Sequence, residues 1–344
     1  MKVLVDYHHS DLFESWMLTL HDRLGYEVYR PIGMDWFDSG IWQFEKHHHG
    51  DAVAHQYLDI WGSDVDCGDH WERTDTTHPG RVLRMVTLDQ ARDMEWDFVI
   101  SSLPDNDLGM AALARDRGAK FGVQIGNEAQ QSSWDLADFG LVSTTMGYQP
   151  PKPHVVYHQE FSLADFRPEA PTERNVVGSW VQCFAENRVP YAEFLDIARV
   201  TPEFEWRIYG AYGSHPVDEF AAGNLPNTPA VAASMRAARI AYHAKSWSDG
   251  YGHVIHNLAA TGRPLIGRAS YYADKLAGPL WVEGVTSFDL DSHSRDELVA
   301  IMRRLRDDDE YHRQISDNMA ARFREVVDFD EDAANVKALL ESVA

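Results

Sequence analysis

Short apolar runs and amphipathic stretches alternate along most of the 344-residue chain. The first apolar run, Val3–Tyr7, precedes a helix-like stretch from Asp11 to about Leu24, and Tyr26–Pro31 is the next apolar run. Gly25 stands where that helix must end. A strand, a helix and a strand in this order form a βαβ unit with a right-handed crossover, so the pattern predicts a parallel sheet.

The alternation is interrupted between about residues 34 and 80. This stretch is rich in Asp, His and Trp and contains the run Lys46-His-His-His-Gly50. An irregular insertion of that length usually has a function of its own. One interpretation is a metal site, built from His47, His48, His49, Asp64, Asp66, Asp69 and His70. Adjacent histidines on an irregular segment lack ligand spacing, so we favour a solvated or substrate-facing loop.

Regular elements return after the insertion and predict two domains. Further strands are expected at Arg81–Val86, Asp97–Ser101, Lys120–Ile125, Phe139–Ser143 and His154–Tyr157. Residues 163–174 have the Pro and charge content of a linker. The predicted division is a first domain at 1–162 with the insertion at about 34–80, the linker at 163–174, a second domain at 175–328, and a final helix in 329–344 that packs back on the first domain.

Composition narrows the class of protein. A hydrophobic content of 44% and a charged content of 25% are typical of soluble globular proteins. A net charge of −23 repels polyanions, which argues against a general nucleic-acid binder. No apolar run reaches membrane-spanning length and the chain begins with a strand-like segment, so we expect no membrane span and a cytoplasmic location. The two cysteines, Cys67 and Cys183, are far apart in sequence, which argues against disulfides and a cysteine-based zinc site.

The most informative stretch is Ile240–Gly267, IAYHAKSWSDGYGHVIHNLAATGRPLIG. Its first residues predict a short buried strand, and Ser246–Gly250 have the small and polar residues of a loop. A helix is predicted over about Tyr251–Thr261, because Gly262 suits a C-terminal cap and Pro264 cannot continue a helix. The start of such a helix favours an anion, since backbone N–H groups and the helix dipole point at it.

The order Asp249, Gly250-Tyr251-Gly252 and Asn257 resembles the donor-site signature of GT-B glycosyltransferases. In that family an acidic residue, a Gly-aromatic-Gly turn and a second acidic residue eight positions on bind a nucleotide sugar. Asp249 keeps a carboxylate, whereas Asn257 replaces the second one by an amide that both accepts and donates. The resemblance covers residues from about 175 to 340, and the first domain only as topology. It implies an α/β protein of the GT-B class, with two Rossmann-like α/β/α domains facing each other across a cleft and a donor domain like that of the retaining glycosyltransferase family 4.

The resemblance also implies roles for individual residues. Cationic side chains stabilise the leaving diphosphate, and Arg188 and Lys245 are the best placed for this role. Asp249 is expected to contact the transferred sugar and Asn257 the ribose. The complete set expected to bind the donor is Arg188, Lys245, Asp249, Gly250, Tyr251, Gly252, His253 and Asn257. The resemblance implies a nucleotide sugar as co-substrate, and we expect no cofactor.

An acceptor hydroxyl must lose a proton as the new bond forms. Candidate bases lie in loops after the strands of the first domain, namely His8, His9, Asp11 and Glu128. An inverting enzyme needs one of them behind the acceptor, whereas a retaining enzyme lets the departing phosphate assist. We favour retention, and the candidate catalytic residues are His9, Asp11, Glu128 and Asp249.

A histidine pair, His253 and His256, has a spacing that can also ligate zinc. No acidic or cysteine residue accompanies the pair at a diagnostic spacing, so polar lining of the nucleotide pocket is favoured and no metal is expected.

The acceptor is not indicated by the sequence. Two other functions stay open. One is glycosylation of a hydroxymethylated DNA base, as in viral enzymes, with nucleic acid as the acceptor only. The other is a non-catalytic protein that binds a nucleotide sugar.

Overall fold

The computed structural model describes residues 1–6, 10–31, 65–74, 81–101, 109–126, 134–210, 219–247 and 249–344. These residues form two compact units. Unit 1 consists of the described residues up to Phe161 together with Asp328–Ala344, and unit 2 consists of those within Ser162–Val327.

The elements are numbered in chain order. In the first part of unit 1 they are β1 (Lys2–Val5), α1 (Ser10–Trp16), β2 (Glu27–Pro31), β3 (Val65–Asp66), β4 (Trp71–Thr74), β5 (Val82–Val86), α2 (Leu88–Asp93), β6 (Phe98–Ser101), α3 (Met110–Arg117), β7 (Lys120–Ile125), β8 (Phe139–Val142) and β9 (His154–Val156). In unit 2 they are β10 (Glu173–Ser179), α4 (Arg188–Val200), β11 (Glu205–Tyr209), β12 (Ala221–Gly223), α5 (Thr228–Ala237), β13 (Ala238–His243), α6 (His253–Ala260), β14 (Leu265–Gly267), α7 (Ala269–Tyr272), β15 (Ser287–Asp289), α8 (Arg295–Asp307) and α9 (Asp309–Val326). The last helix, α10 (Phe329–Val343), belongs to unit 1.

The sheet of unit 1 has the strand order β3-β4-β5-β2-β1-β6-β7-β8-β9. All neighbours from β5 to β9 are parallel, and only the β3–β4 and β4–β5 pairs are antiparallel. Successive side chains of a strand point to opposite faces, so each face of this sheet needs a helical cover. Val3 and Val5 belong to a core cluster with residues of α1 and α10, whereas Leu4 belongs to a second cluster with residues of α2 and α3.

The sheet of unit 2 has six parallel strands in the order β12-β11-β10-β13-β14-β15. This is the 3-2-1-4-5-6 order of a Rossmann fold, in which the strand order reverses between the first and fourth strands. Here the reversal lies between β10 and β13. The sheet of unit 1 contains the same strand order in its segment β5-β2-β1-β6-β7-β8, and the reversal there lies between β1 and β6.

Helix ends follow the rules of capping. Ser294 starts α8 with a capping box, in which its hydroxyl accepts from the Glu297 N–H and the Glu297 carboxylate accepts in return. Gly262 has a φ of +67° just after α6, as a glycine cap predicts. Helix α6 itself begins at His253 and not at Tyr251, because Gly252 with a φ of +80° is its N-cap and lies outside the right-handed helical region.

Two further expectations differ from the structure. Val65–Thr74, within the stretch expected to be irregular, contains the antiparallel pair β3–β4, because the tight turn at Gly68 has a φ of +94° that glycine adopts freely. Strand β10 begins at Glu173, inside the expected linker, where the Glu173 carboxylate accepts a 2.7 Å hydrogen bond from Arg207 of β11. Within the described ranges, no helix has the length and apolar character needed to cross a bilayer.

Candidate functional site

The loops at the carboxyl ends of β10 and β13 flank the reversal point of unit 2. Ligands of open parallel sheets bind at this position. Asn187, in the loop after β10, is buried and its Oδ1 accepts a 3.3 Å hydrogen bond from the backbone N–H of Ser246, in the loop after β13. The two loops are thereby joined, and the second of them contains Lys245 and Asp249.

The Asp249 side chain is held through both carboxylate oxygens. Its Oδ1 accepts from the backbone N–H of Gly252 at 2.9 Å, and its Oδ2 accepts from the Tyr272 hydroxyl at 2.8 Å. The ammonium of Lys245 lies 3.5 Å from Oδ2. The backbone N–H of Asp249 donates to the Tyr271 hydroxyl at 3.1 Å. Asp249 therefore fixes the turn that leads into α6.

The protonation states of this cluster follow from burial and charge. Burial alone would raise the pKa of Asp249, but the Lys245 charge and the contacts with His243 and Tyr272 hold that pKa far below its ordinary value. Burial lowers the pKa of His243, although the nearby Asp249 carboxylate opposes the shift. Burial and Asp249 raise the pKa of Tyr272 well above 10. Near neutral pH the cluster therefore holds a carboxylate, a neutral imidazole and a protonated phenol.

The tautomer of His243 can be assigned from these states. The Tyr272 hydroxyl gives its one proton to Asp249, so its oxygen must accept from the Nε2–H of His243, 2.9 Å away. His243 Nδ1 then carries no proton, and within the described part of the chain it is buried without a hydrogen-bond donor. His243, Tyr272 and Asp249 thus form a chain of donors that ends on the carboxylate.

Gly252 allows the close approach of the loop to α7 and the segment after it. A Cβ atom at this position would lie 2.8 Å from the Cβ of Ala277 and 3.2 Å from a ring carbon of Tyr272. The Gly252 carbonyl accepts from the backbone N–H of both Ile255 and His256. Some N–H groups that we expected to be free for phosphate are therefore engaged: Gly252 gives its own to Asp249, and those of Ile255 and His256 bond to Gly252.

The other predicted donor-binding residues of α6 have different environments. His256 is buried, its Nδ1 lies 2.9 Å from the Gly252 carbonyl, and its ring stacks on Tyr251 with centroids 4.2 Å apart. Asn257 is buried, and its Oδ1 has no hydrogen-bond donor among the described residues. His253 is half-buried at the first position of α6.

Arg188 is the first residue of α4 and is exposed. It directly follows Asn187, which contacts the loop of Lys245. Arg188 therefore lies on the β10 side of the reversal point and Lys245 on the β13 side. Cys183, in the same loop as Asn187, has a φ of 51°. Every other described residue with a positive φ is a glycine. Such strain is concentrated at functional sites.

Unit 1 has a polar cluster at the equivalent edge. Asp6 follows β1 and Ser101 ends β6, and the Ser101 hydroxyl donates to Asp6 Oδ2 at 2.7 Å, with both residues buried. The side-chain amides of Gln124 and Gln159 each donate to the Ser143 hydroxyl oxygen at 2.8 Å. These buried polar groups are thus paired with one another, as burial requires.

Most of the predicted bases cannot be placed in this cluster. His8, His9 and Glu128 lie outside the described residues. Asp11 lies in α1, and its side chain is outside the description. Their proposed roles are therefore still predictions.

Several residues of the site were not singled out from the sequence. His243 is the last residue of β13, and Tyr271 and Tyr272 end α7. A polar residue at the end of an apolar strand was an available signal for His243 and for Asp6. No pattern indicated Tyr272, because its contact with Asp249 spans 23 positions of the chain.

Comparisons with known structures identify proteins of the same fold. The chain aligns with Anabaena HepE, solved in complex with UDP-glucose, over 99% of its own length and 100% of the other, with a TM-score of 0.67 and 12% identity. It aligns with sucrose-phosphate synthase from Thermosynechococcus elongatus over 100% and 99%, with a TM-score of 0.62 and 10% identity. The chain has the GT-B fold.

The chain also aligns with the pneumococcal O-GlcNAc transferase GtfA, solved in complex with UDP and GlcNAc. The alignment covers 100% of this chain and 99% of GtfA, with a TM-score of 0.57 and 11% identity. Neither a family model nor a curated protein sequence matches the chain. The GT-B fold predicted from the short donor-site pattern is confirmed.

Proposed function

We propose that the chain is a glycosyltransferase that moves a sugar from a UDP-sugar to an acceptor hydroxyl, with retention of configuration and without a metal ion in the transfer step. The observation that carries the proposal is the Lys245–Asp249 pair, 3.5 Å apart, in the loop before α6 at the reversal point of the unit 2 sheet. Three proteins with the same fold support it, since one was solved with UDP-glucose, one was solved with UDP and GlcNAc, and one is a sucrose-phosphate synthase.

Each part of the donor would meet a different group. The Lys245 ammonium would stabilise the charge that develops on the diphosphate as the glycosidic bond breaks. Arg188, on the other side of the reversal point, would supply a second cation. The N-terminus of α6 would add the positive end of its helix dipole. Asn257 would bind a ribose hydroxyl through its buried Oδ1.

Asp249 would have two tasks. Its carboxylate anchors the Gly252 turn and Tyr272, and Oδ1, which accepts from Gly252 alone among the described residues, keeps a second lone pair. A hydroxyl of the transferred sugar could therefore bind without breaking the anchor. His9, Asp11 and Glu128 remain the proposed groups on the acceptor side. The cytoplasmic location is part of the same proposal.

Calorimetric titration with UDP, GDP and ADP tests donor binding. We expect UDP to bind, and we expect Lys245→Ala to weaken UDP about 10- to 100-fold, because a charge-assisted contact contributes about 1.5–3 kcal/mol. Lys337→Ala is the matched control, since Lys337 is an exposed lysine of α10. Failure of all three nucleotides to bind would contradict the proposal.

Turnover distinguishes an enzyme from a binding protein. We expect UDP to be released from a UDP-sugar, and Asp249→Ala to reduce this release. Tight UDP binding without any release, across a broad panel of acceptors, would favour the non-catalytic protein. A mass gain on hydroxymethylated DNA incubated with the donor would identify a base as the acceptor.

A further inference from the structure

The hairpin β3–β4 of unit 1 brings three potential metal ligands together. Cys67, His70 and Glu72 each offer one ligand atom, and these atoms all lie within 4.8 Å of one another. The metal site considered from the sequence included Asp69 and His70 but neither Cys67 nor Glu72.

The geometry of the hairpin explains this proximity. The N–H of Cys67 donates to the carbonyl of His70 at 2.9 Å, which makes these residues cross-strand neighbours at the turn. Between them, Gly68 has a φ of +94°. His70 lies directly before β4 and Glu72 is the second residue of that strand. Their ligand atoms, His70 Nε2 and Glu72 Oε1, are 3.2 Å apart.

The His70 ring lies between two carboxylates. Its Nδ1 lies 2.6 Å from an Asp69 carboxylate oxygen, and its Nε2 lies 3.2 Å from Glu72 Oε1. Carboxylates only accept, and a neutral imidazole has one N–H. When the Nδ1–H donates to Asp69, the lone pair of Nε2 faces Glu72 Oε1, and a metal ion between these two atoms would bind both. The half-buried ring is held in this position by its edge contact with Tyr29, with centroids 5.5 Å apart.

We propose that Cys67, His70 and Glu72 bind a zinc ion, with Asp69 as the outer carboxylate that orients His70. Thiolate, imidazole and carboxylate are the ligand types that zinc takes. Two ligands at about 2.0–2.1 Å from a tetrahedral zinc are about 3.3 Å apart, close to the observed separation of His70 Nε2 and Glu72 Oε1. A carboxylate on the second ring nitrogen is the usual partner of a zinc-bound histidine.

The ion would join the turn of the hairpin to β4, because all three ligands lie between Cys67 and Glu72. Glu72 pairs in register with Arg84 of β5, whose Nε lies 3.2 Å from the same Oε1. Arg84 would therefore share the Glu72 carboxylate and offset its charge. With three protein ligands, one position would stay open to solvent, which leaves the ion exchangeable.

Zinc and cobalt titrations of the chelator-treated full chain test the proposal. We expect one zinc ion per chain with micromolar or tighter affinity, and a cobalt complex with a thiolate charge-transfer band and intense four-coordinate bands. Cys67→Ser should abolish the charge-transfer band and weaken zinc more than 100-fold. Asp69→Asn should weaken zinc by about 10- to 100-fold, since loss of an outer partner costs that much.

Three matched variants control for other ligands. Cys183→Ser removes the second cysteine, His293→Gln removes another histidine that pairs with a glutamate at 2.7 Å, and a triple alanine variant removes His47, His48 and His49. All three should retain the charge-transfer band and the tight zinc site. Circular dichroism of metal-free Cys67→Ser checks that the exposed substitution leaves the fold intact.

Three results would contradict a zinc site at Cys67, His70 and Glu72. Unchanged zinc affinity in folded Cys67→Ser, loss of all zinc binding in the triple histidine variant, or no zinc binding by the wild type would each overturn the proposal. These outcomes are independent of nucleotide binding, because every substituted ligand lies in unit 1.

Discussion

The Asp249 carboxylate takes hydrogen bonds from two directions and lies beside an ammonium. The Tyr272 hydroxyl and the Gly252 N–H donate to different oxygens of Asp249. His243 in turn donates to the Tyr272 hydroxyl oxygen. Such a chain positions the carboxylate more firmly than a single donor can. The first acidic position of the donor signature could be predicted from the sequence. Its supporting residues could not, because they come from β13 and α7 and meet it only in the folded chain.

Tyr272→Phe tests this support. It removes a buried donor to a charged acceptor, so we expect the free energy of unfolding to fall by about 1.5–3 kcal/mol and kcat/KM for a UDP-sugar to fall with it. Tyr26→Phe is the matched control, because the Tyr26 hydroxyl is buried without a hydrogen-bond partner among the described residues. Equal unfolding midpoints for the two variants would contradict the arrangement.

A buried histidine makes the stability of unit 2 depend on pH. His312 of α9 lies 2.8 Å from the Arg239 carbonyl through Nε2, and burial lowers its pKa to about 4. The unfolded chain binds this proton near pH 6.5, so stability is lost as pH falls from about 6.5 to 4, by about 3 kcal/mol. His312→Gln should flatten the decline in urea unfolding over that range. An unchanged slope in the variant would refute this assignment.

The loop, helix and strand of 244–267 form the element that defines the site. Gly262 and Pro264 allowed the end of α6 to be predicted, because both act through local backbone rules. The start was placed two residues early, because Gly252 takes its left-handed conformation from packing against Ala277 and Tyr272. Tertiary contacts of this kind leave no periodic signal in a sequence.

Gly252→Ala should be costly for two reasons. The φ of +80° strains any residue with a Cβ, and the added atom would lie 2.8 Å from Ala277. We expect a loss of about 2 kcal/mol or more in unfolding free energy and a weaker affinity for UDP. In Gly284→Ala the φ is +69° and no atom lies within 4 Å, so about 1 kcal/mol is expected there, with UDP affinity retained. Equal effects of the two substitutions would exclude the packing contribution.

At the scale of the whole molecule, two Rossmann-like units reverse their strand order at polar edges. In unit 2 the edge is formed by Asn187, Lys245 and Asp249, and in unit 1 by Asp6 and Ser101. The alternation of apolar runs with helices was enough to predict this class of fold. The hairpin Val65–Thr74 was missed, because its short strands are rich in polar and charged residues and depend on pairing with β5.

A crystal structure of the chain with UDP bound shows which residues hold the diphosphate. We predict the diphosphate at the first turn of α6, within hydrogen-bond distance of the Lys245 ammonium, with Asn257 on the ribose. A diphosphate bound away from the β10–β13 reversal point, or a nucleotide that leaves Lys245 paired with Asp249 alone, would contradict this prediction.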